Sequence, residues 1–461
     1  MHSHLKFKKL EVNSGVSAVI SHHLFNYKLL IQINGYITIL FLALAAPAVA
    51  SSCLLLESDR PKLSTANTGP YLTSEENLAR GKRLYDSGDP FYIELVEELL
   101  EEADTHLDRE LYSVTYQEKG EFIEDHHDYV SFYSYAWPNP DSEDGMPWIS
   151  RDGQINREQV DRYDRSYLSR LSLAVEKLSL AWVYSREEKY AEKAADFIRT
   201  WFLDPETRMN PHLRHAQFWP GRNDGGLQGI IEGREFIPII EGATMIYDSQ
   251  AWTPEDHREL KYWFYDFMRW VQRVYNNEVF ADSNVGTWID TQKTIYALFT
   301  EHSYLLYTSK YLLPIRQRID RQITSTGEQP VELNRATSNH YTWFNLKAYI
   351  LQTEMRRHAN VIPGDFAAGS IYMAHGEEGS LIAALDWLLP YVSGQRIWHD
   401  DHPALAEFNT CRYIDLFRPV ANGLAEPRYE KLVQQLIGEY GCHSITTLLT
   451  HPPLEHHAEF R

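Results

Sequence analysis

Along most of the chain beyond residue 75, apolar side chains recur at intervals of three and four, the spacing that puts one face of an amphipathic helix against a core. Leu171, Ala174, Leu178, Ala181 and Trp182 follow this rhythm, and so do Tyr190, Ala194, Phe197, Ile198 and Trp201. Leu203-Asp204-Pro205 stops the second run, so the two blocks predict antiparallel helices. Thr253-Pro254-Glu255-Asp256 predicts a helix start: the threonine hydroxyl caps, proline needs no donor in the first turn, and two acids meet the positive end of the dipole. Leu260, Trp263, Phe264, Phe267, Trp270, Val271 and Val274 then form its buried face. Further helices are expected near residues 92–104, 229–248, 286–309, 343–357 and 379–393, and strand-type alternation is scarce.

Many consecutive helices with short connections build either a solenoid or a closed ring of hairpins. No fixed-period repeat is found, which weakens the solenoid and leaves a ring of non-identical hairpins. Long loops rich in aromatics, Asn and Gly interrupt the helices at 125–156, 205–229 and 276–290. Loops of that length inside a domain usually carry function.

The N-terminus reads differently. Ile37 to Ala46 is a short apolar run after Lys28, and Ala48-Val49-Ala50 offers the small residues that a signal peptidase accepts. Residues 1–50 are therefore expected to be an N-terminal extension and export signal, 51–75 a short linker, and 76–455 one catalytic unit. Export implies a secreted or periplasmic protein. Anchoring of a lipid at Cys53 is disfavoured, because Ala50 stands where a lipobox prefers Leu. No run reaches the ~18 to 20 apolar residues of a membrane span. The cysteines, Cys53, Cys411 and Cys442, have no metal-site spacing, and spacing leaves a Cys411–Cys442 bridge open.

A net charge of −20 excludes the broad basic face that nucleic acid or an anionic membrane demands. An acidic glycan is not excluded, since a few arginines focused in one cleft can hold it. The 12 Trp and 29 Tyr give ample flat surface for stacking on sugars, although core packing claims most such residues.

Candidate chemistry lies in four segments. The first holds Asp128, Tyr129, Ser131, Tyr135, Trp137-Pro138-Asn139-Pro140, Trp148, Arg151-Asp152-Gly153 and Asn156. The second runs Arg208-Met209-Asn210-Pro211-His212 to His215-Ala216-Gln217, then Glu232 and Arg234. The third is Ser283-Asn284-Val285-Gly286-Thr287-Trp288 with Asp290 and Gln292, and the fourth Glu332-Leu333, Arg335, Ser338, Tyr341 and Phe344-Asn345-Leu346. Singly these are turns and packing residues.

Together, over about residues 125–400, they resemble the alginate-lyase-like polysaccharide lyases. The resemblance implies an all-α fold, an incomplete (α/α) toroid, that cleaves an acidic, uronate-containing polysaccharide by β-elimination. That reaction must neutralise a carboxylate, remove the C5 proton and protonate the leaving O4. Asn284 and Arg335 match the neutralising positions, the arginine as a bidentate cation. Tyr341 matches the family tyrosine that serves as acid and, in syn elimination, as base too. Gln217 and His215 match a stretch that lines the groove, while Tyr129, Tyr135, Trp137, Trp148 and Trp288 are candidate subsite aromatics. The family histidine is absent: Val285 stands in its place and can neither take nor give a proton. His212, His215 and His340 are the imidazoles nearby in sequence, and His340 is the less expected because it is adjacent to Tyr341.

One-tyrosine chemistry suits mannuronate or glucuronate, where proton and leaving oxygen share a face, and not guluronate. Two rival readings remain at this level. A toroid glycoside hydrolase would use paired acids such as Asp152, Glu232 and Asp290; a degenerate glycan-binding relative would explain Val285. No metal is expected, because His126-His127 and His456-His457 are adjacent rather than four apart on a helix. No redox or phosphate cofactor is expected either.

Overall fold

The computed structural model describes residues 61–454, apart from 118, 120–121, 277, 302–311, 360–371, 373–374 and 403, together with the antiparallel pair Gln32–Ile33 and Tyr36–Ile37. The contacts divide the chain into Met1–Pro61 and Lys62–Arg461. The rest of residues 1–60, including the expected cleavage site at Ala48–Ala50 and Cys53, and His456-His457 lie outside the described residues.

The larger unit is built from α1 (Glu75–Asp86), α2 (Pro90–Leu107), α3 (Asp164–Ser185), α4 (Glu188–Phe202), α5 (Phe236–Met245), α6 (Pro254–Val274), α7 (Asn284–Thr300), α8 (Leu312–Gln322), α9 (Ser338–His358), α10 (Leu381–Val392), α11 (Ile414–Leu424), α12 (Pro427–Gly438) and α13 (Ile445–Thr450). The caps are local chemistry. Thr253 Oγ1 accepts from Asp256 N at 3.0 Å and the Asp256 carboxylate accepts from Thr253 N at 3.1 Å, the reciprocal capping expected of that tetrapeptide. Ser74 and Ser380 cap α1 and α10 in the simpler way.

Two kinds of helix alternate. α6 is amphipathic, burying Leu260, Trp263, Phe264, Phe267, Met268 and Val271 while Glu255 and Arg258 stay at the surface. α7 is buried at nearly every position, as a helix surrounded by others must be. The packing partners give the reason: α3 packs on α5, α5 on α7, α7 on α9, α9 on α11, α11 on α13, and α13 returns to α2 and α3. These helices form the inner circuit of an (α/α) toroid, with α4, α6, α8, α10 and α12 following them in sequence as the outer partners. At its centre is a cavity of about 290 Å³ lined from α3, α5, α7, α9, α11 and α13.

Residues 62–74 are not a linker. Tyr71 is buried, and the backbone N–H groups of Tyr71 and Leu72 donate to the Glu241 carboxylate at 2.8 and 3.0 Å. Cys411 and Cys442 form a disulfide with Cα atoms 4.9 Å apart, settling the pairing that spacing left open.

Two small strand pairings organise the loops over the ring. Val130–Phe132 runs parallel to His215–Phe218, and Ala136–Trp137 pairs antiparallel with Ile149–Ser150. The first ties the first two functional loops to each other, and the second folds the first loop back on itself. Among the described residues no helix is long and apolar enough to cross a membrane.

Candidate active site

Tyr341 sits in the first turn of α9, buried to 7% exposure. Its hydroxyl meets that of Tyr135, from the first loop, at 2.5 Å. Arg335 lies just before the helix, its guanidinium carbon 3.6 Å from the centre of the Tyr341 ring. That cation over the π face pins the ring and favours negative charge on its oxygen. Asp152 holds the arginine in turn, accepting from Arg335 Nε at 3.0 Å and Nη2 at 2.5 Å, and from the Ala336 backbone at 2.9 Å. With Nε and Nη2 so engaged, the Nη1 group is the part of the fork left to reach a ligand. Burial pushes the Tyr341 phenol well above its usual range, with Tyr135 adding to the shift and Arg335 opposing it, so the resting hydroxyl carries its proton.

Asn284 opens α7. Both its backbone N–H and its amide Nδ2 donate to Glu332, at 2.7 and 2.8 Å. Glu332 is buried, and burial raises its carboxyl despite those donors. The Arg335 N–H returns to the Glu332 carbonyl at 3.2 Å, so a single turn links the Asn284 anchor to the arginine over Tyr341.

A second buried cluster centres on Glu232. Its carboxylate accepts from Tyr129 at 2.8 Å, Ser131 at 2.6 Å and Gln217 Nε2 at 3.1 Å, with Arg165 at 3.7 Å. Arg165 also donates to Ser134 beside Tyr135, which joins the clusters. Gln217 has φ of +54°, a left-handed backbone that a non-glycine residue adopts at a cost, and the Ser131 hydroxyl accepts from its N–H at 2.8 Å.

The structure therefore brings Tyr341, Arg335 and Tyr135 together, with Asn284 one turn away through Glu332 and Gln217 in the adjoining cluster. Trp137 and Trp148 are half-buried beside them, Trp137 donating to the Gln154 carbonyl at 3.0 Å. Two of the aromatic candidates are displaced from the groove. Tyr129 is fully buried on Glu232, and Trp288 faces the inner ring at 4% exposure against Phe344, so neither presents a face to a sugar. His215 is engaged by other groups. Its Nε2 lies 3.6 Å from Asp128, alongside His212 at 3.1 Å, and its Nδ1 meets the Asp224 carbonyl. His340 packs against the tyrosine ring, with centres 5.2 Å apart, while its Nδ1 meets Arg412. Burial lowers it to about 4, so it is neutral.

Residues 115–398 match the alginate lyase family model. An alginate lyase from Bacteroides ovatus, known from its crystal structure, is 33% identical over 83% of this chain and 99% of that one, with a TM-score of 0.75. This chain belongs to the alginate lyase family. A variant of alginate lyase A1-III, the enzyme of Sphingomonas species A1, complexed with a tetrasaccharide, shares the fold at 11% identity, TM-score 0.50, over 85% of this chain and 97% of that one. No curated protein sequence matches the chain.

An alginate lyase is a polysaccharide lyase, and the site agrees with that class against the hydrolase alternative. Asp152 is spent on Arg335, Glu232 on four partners, and Asp290 on Arg318 at 2.5 Å with Lys293 at 3.8 Å. None of the three is an unpaired acid facing a cleft, as hydrolysis requires. Glu332, Arg165 and Ser131 are the supporting residues that sequence reading left without a role. Glu332 stood inside the Glu332-Leu333-x-Arg335 segment, but its partner Asn284 is 48 positions away and no local signal joins the two.

Proposed function

We propose that this alginate lyase family member cleaves a 1,4-linked uronate polysaccharide, poly-mannuronate or glucuronan, with Tyr341 handling the proton and Arg335 and Asn284 neutralising the carboxylate. The observation that carries the reading is the Tyr341 hydroxyl held between the Arg335 guanidinium and Tyr135.

The electron accounting closes on one residue. As phenolate, Tyr341 takes the C5 proton; the electrons form the C4–C5 double bond, the C4–O4 bond breaks, and the proton passes from Tyr341 to O4. Tyr341 ends as it began. Arg335 favours the phenolate by charge, and Tyr135 offers the neighbouring oxygen through which the resting proton leaves. A neutralised carboxylate stabilises the enolate-like charge at C5. Val285 offers no imidazole for the opposite face. Trp137, Trp148 and Gln217 are the proposed groove contacts. Export is part of the proposal, and the Cys411–Cys442 disulfide supports it because such bonds persist in oxidising compartments.

The test is purified protein on poly-mannuronate, poly-guluronate and glucuronan, followed by the ultraviolet absorbance of the unsaturated product. Product from poly-mannuronate or glucuronan supports the reading. Binding of the glycans with no product from any of them would replace it with the glycan-binding one.

A further inference from the structure

The far end of α9 carries a cluster that the proposed reaction does not use. Glu354 and His358 are one helical turn apart, and His451 arrives from just beyond α13; one ligand atom of each lies within 4.8 Å of the others. Glu354 Oε2 is 3.0 Å from His358 Nε2 and 3.3 Å from His451 Nε2. Glu354 and His451 are at least nine-tenths buried.

The protons do not fit a hydrogen-bonded cluster. Thr450 Oγ1 has one hydrogen, and it goes to the Thr446 carbonyl at 2.7 Å, so the 3.0 Å contact with His451 Nδ1 is donated by the imidazole. A neutral His451 then carries a bare lone pair on Nε2. That atom has no hydrogen bond among the described residues, although it faces the carboxylate. Arg357 Nη2 lies 3.0 Å from His358 Nε2, and a guanidinium only donates, so this second nitrogen also presents a lone pair. One bare imidazole lone pair, a second that accepts from Arg357, and a carboxylate oxygen thus converge. Arg357, which also donates to Glu354 Oε2 at 2.5 Å, relieves part of the repulsion but touches no atom of His451 in these contacts.

We propose that Glu354, His358 and His451 bind a divalent transition metal of the zinc class. Metal–ligand bonds of about 2.0 to 2.1 Å arranged tetrahedrally put ligand atoms about 3.3 Å apart, close to the spacings seen. The remaining features of a metal site are in place. Thr450 fixes the His451 tautomer, while Tyr372 and Arg357 Nε hold the other carboxylate oxygen. The central cavity, which Glu354 and His451 line, gives access. Glu354 lies thirteen residues (354 minus 341), or about 20 Å of helix rise, beyond Tyr341. The metal is therefore a staple between α9 and the segment after α13, not a participant in the elimination.

Full-length protein, stripped with a chelator, is incubated with Zn²⁺, freed of excess and assayed for metal by mass spectrometry. About one retained zinc per chain is expected, with a higher melting temperature, and His451→Ala should retain less than about a tenth of that. Arg357→Gln, which removes the competing cation, should bind more tightly. Co²⁺ on the unaltered protein should give the intense visible bands of a tetrahedral site, a reading that does not depend on any variant folding. No retained metal in the unaltered protein would overturn the proposal in favour of a protonated His451. Equal retention by a folded His451→Ala would also overturn it, and assign the metal to the exposed trio Asp125, His126 and His127.

Discussion

The hydroxyl oxygens of Tyr341 and Tyr135 lie 2.5 Å apart, although 206 positions separate them in sequence. One comes from the start of an inner-ring helix and the other from a loop held over the ring by short strand pairings. Neither element alone makes the proposed proton path; their contact does.

Tyr341→Phe removes the hydroxyl and keeps the ring under Arg335. Turnover should fall by about 10²- to 10⁴-fold, the usual cost of losing a general acid or base, with the melting temperature nearly unchanged. Steady-state kinetics retaining more than about a tenth of the activity would show that another group moves the proton. Tyr135→Phe should cost less, since Tyr341 keeps its own oxygen.

Arg335→Ala should lower kcat/KM by about 10²- to 10³-fold, as expected for a donor that stabilises transition-state charge. Asp152→Asn keeps the cation but loosens its orientation, so its effect should be smaller and in the same direction. Unchanged kcat/KM in Arg335→Ala would reduce the residue to a structural partner of Asp152.

Poly-guluronate should be cleaved poorly or not at all, because its C5 proton and O4 leave from opposite faces and Val285 supplies no second group. The comparison is initial rate on pure poly-guluronate against poly-mannuronate and glucuronan. Efficient cleavage would overturn the single-tyrosine scheme and direct attention to His340, whose ring packs against Tyr341.

Glu241 makes stability depend on pH. Burial raises its carboxyl from 4.5 to about 7, outweighing the backbone donors of Tyr71 and Leu72. The folded protein therefore keeps a proton that the unfolded chain releases. This contribution is full below about pH 4.5 and is lost as pH rises through about 7. Thermal melts across that window should show the decline, and Glu241→Gln should flatten it even though it loses a hydrogen bond. An equal slope in the variant would place the titration elsewhere.

The periodic positions made the helices legible. Tyr190 to Trp201 and Leu260 to Val271 bury the faces their spacing predicts, and Thr253 caps where the tetrapeptide says it should. The sequence reading missed α1, α8, α11, α12 and α13, for which it assigned no apolar period. The site was legible as a set of segments but not as geometry. Tyr129 and Trp288 are the same kinds of residue as Tyr135 and Trp137, and only packing decides which face is covered. Glu354 and His358 show the i, i+4 spacing, but their third partner is 93 positions on (451 minus 358), and a search confined to histidine pairs passed them over.

The return of α13 to α2 and α3 makes the last described helix the stave that completes the barrel. A chain emerging from the ribosome N-terminus first, at about 5 to 20 residues per second, cannot close that ring until Ile445–Thr450 has been synthesised. Until then α2 and α3 lack a neighbour they will hold for the rest of the protein's life. Truncation just before Ile445 would leave the protein in that nascent condition permanently, with apolar surface exposed to proteases and chaperones.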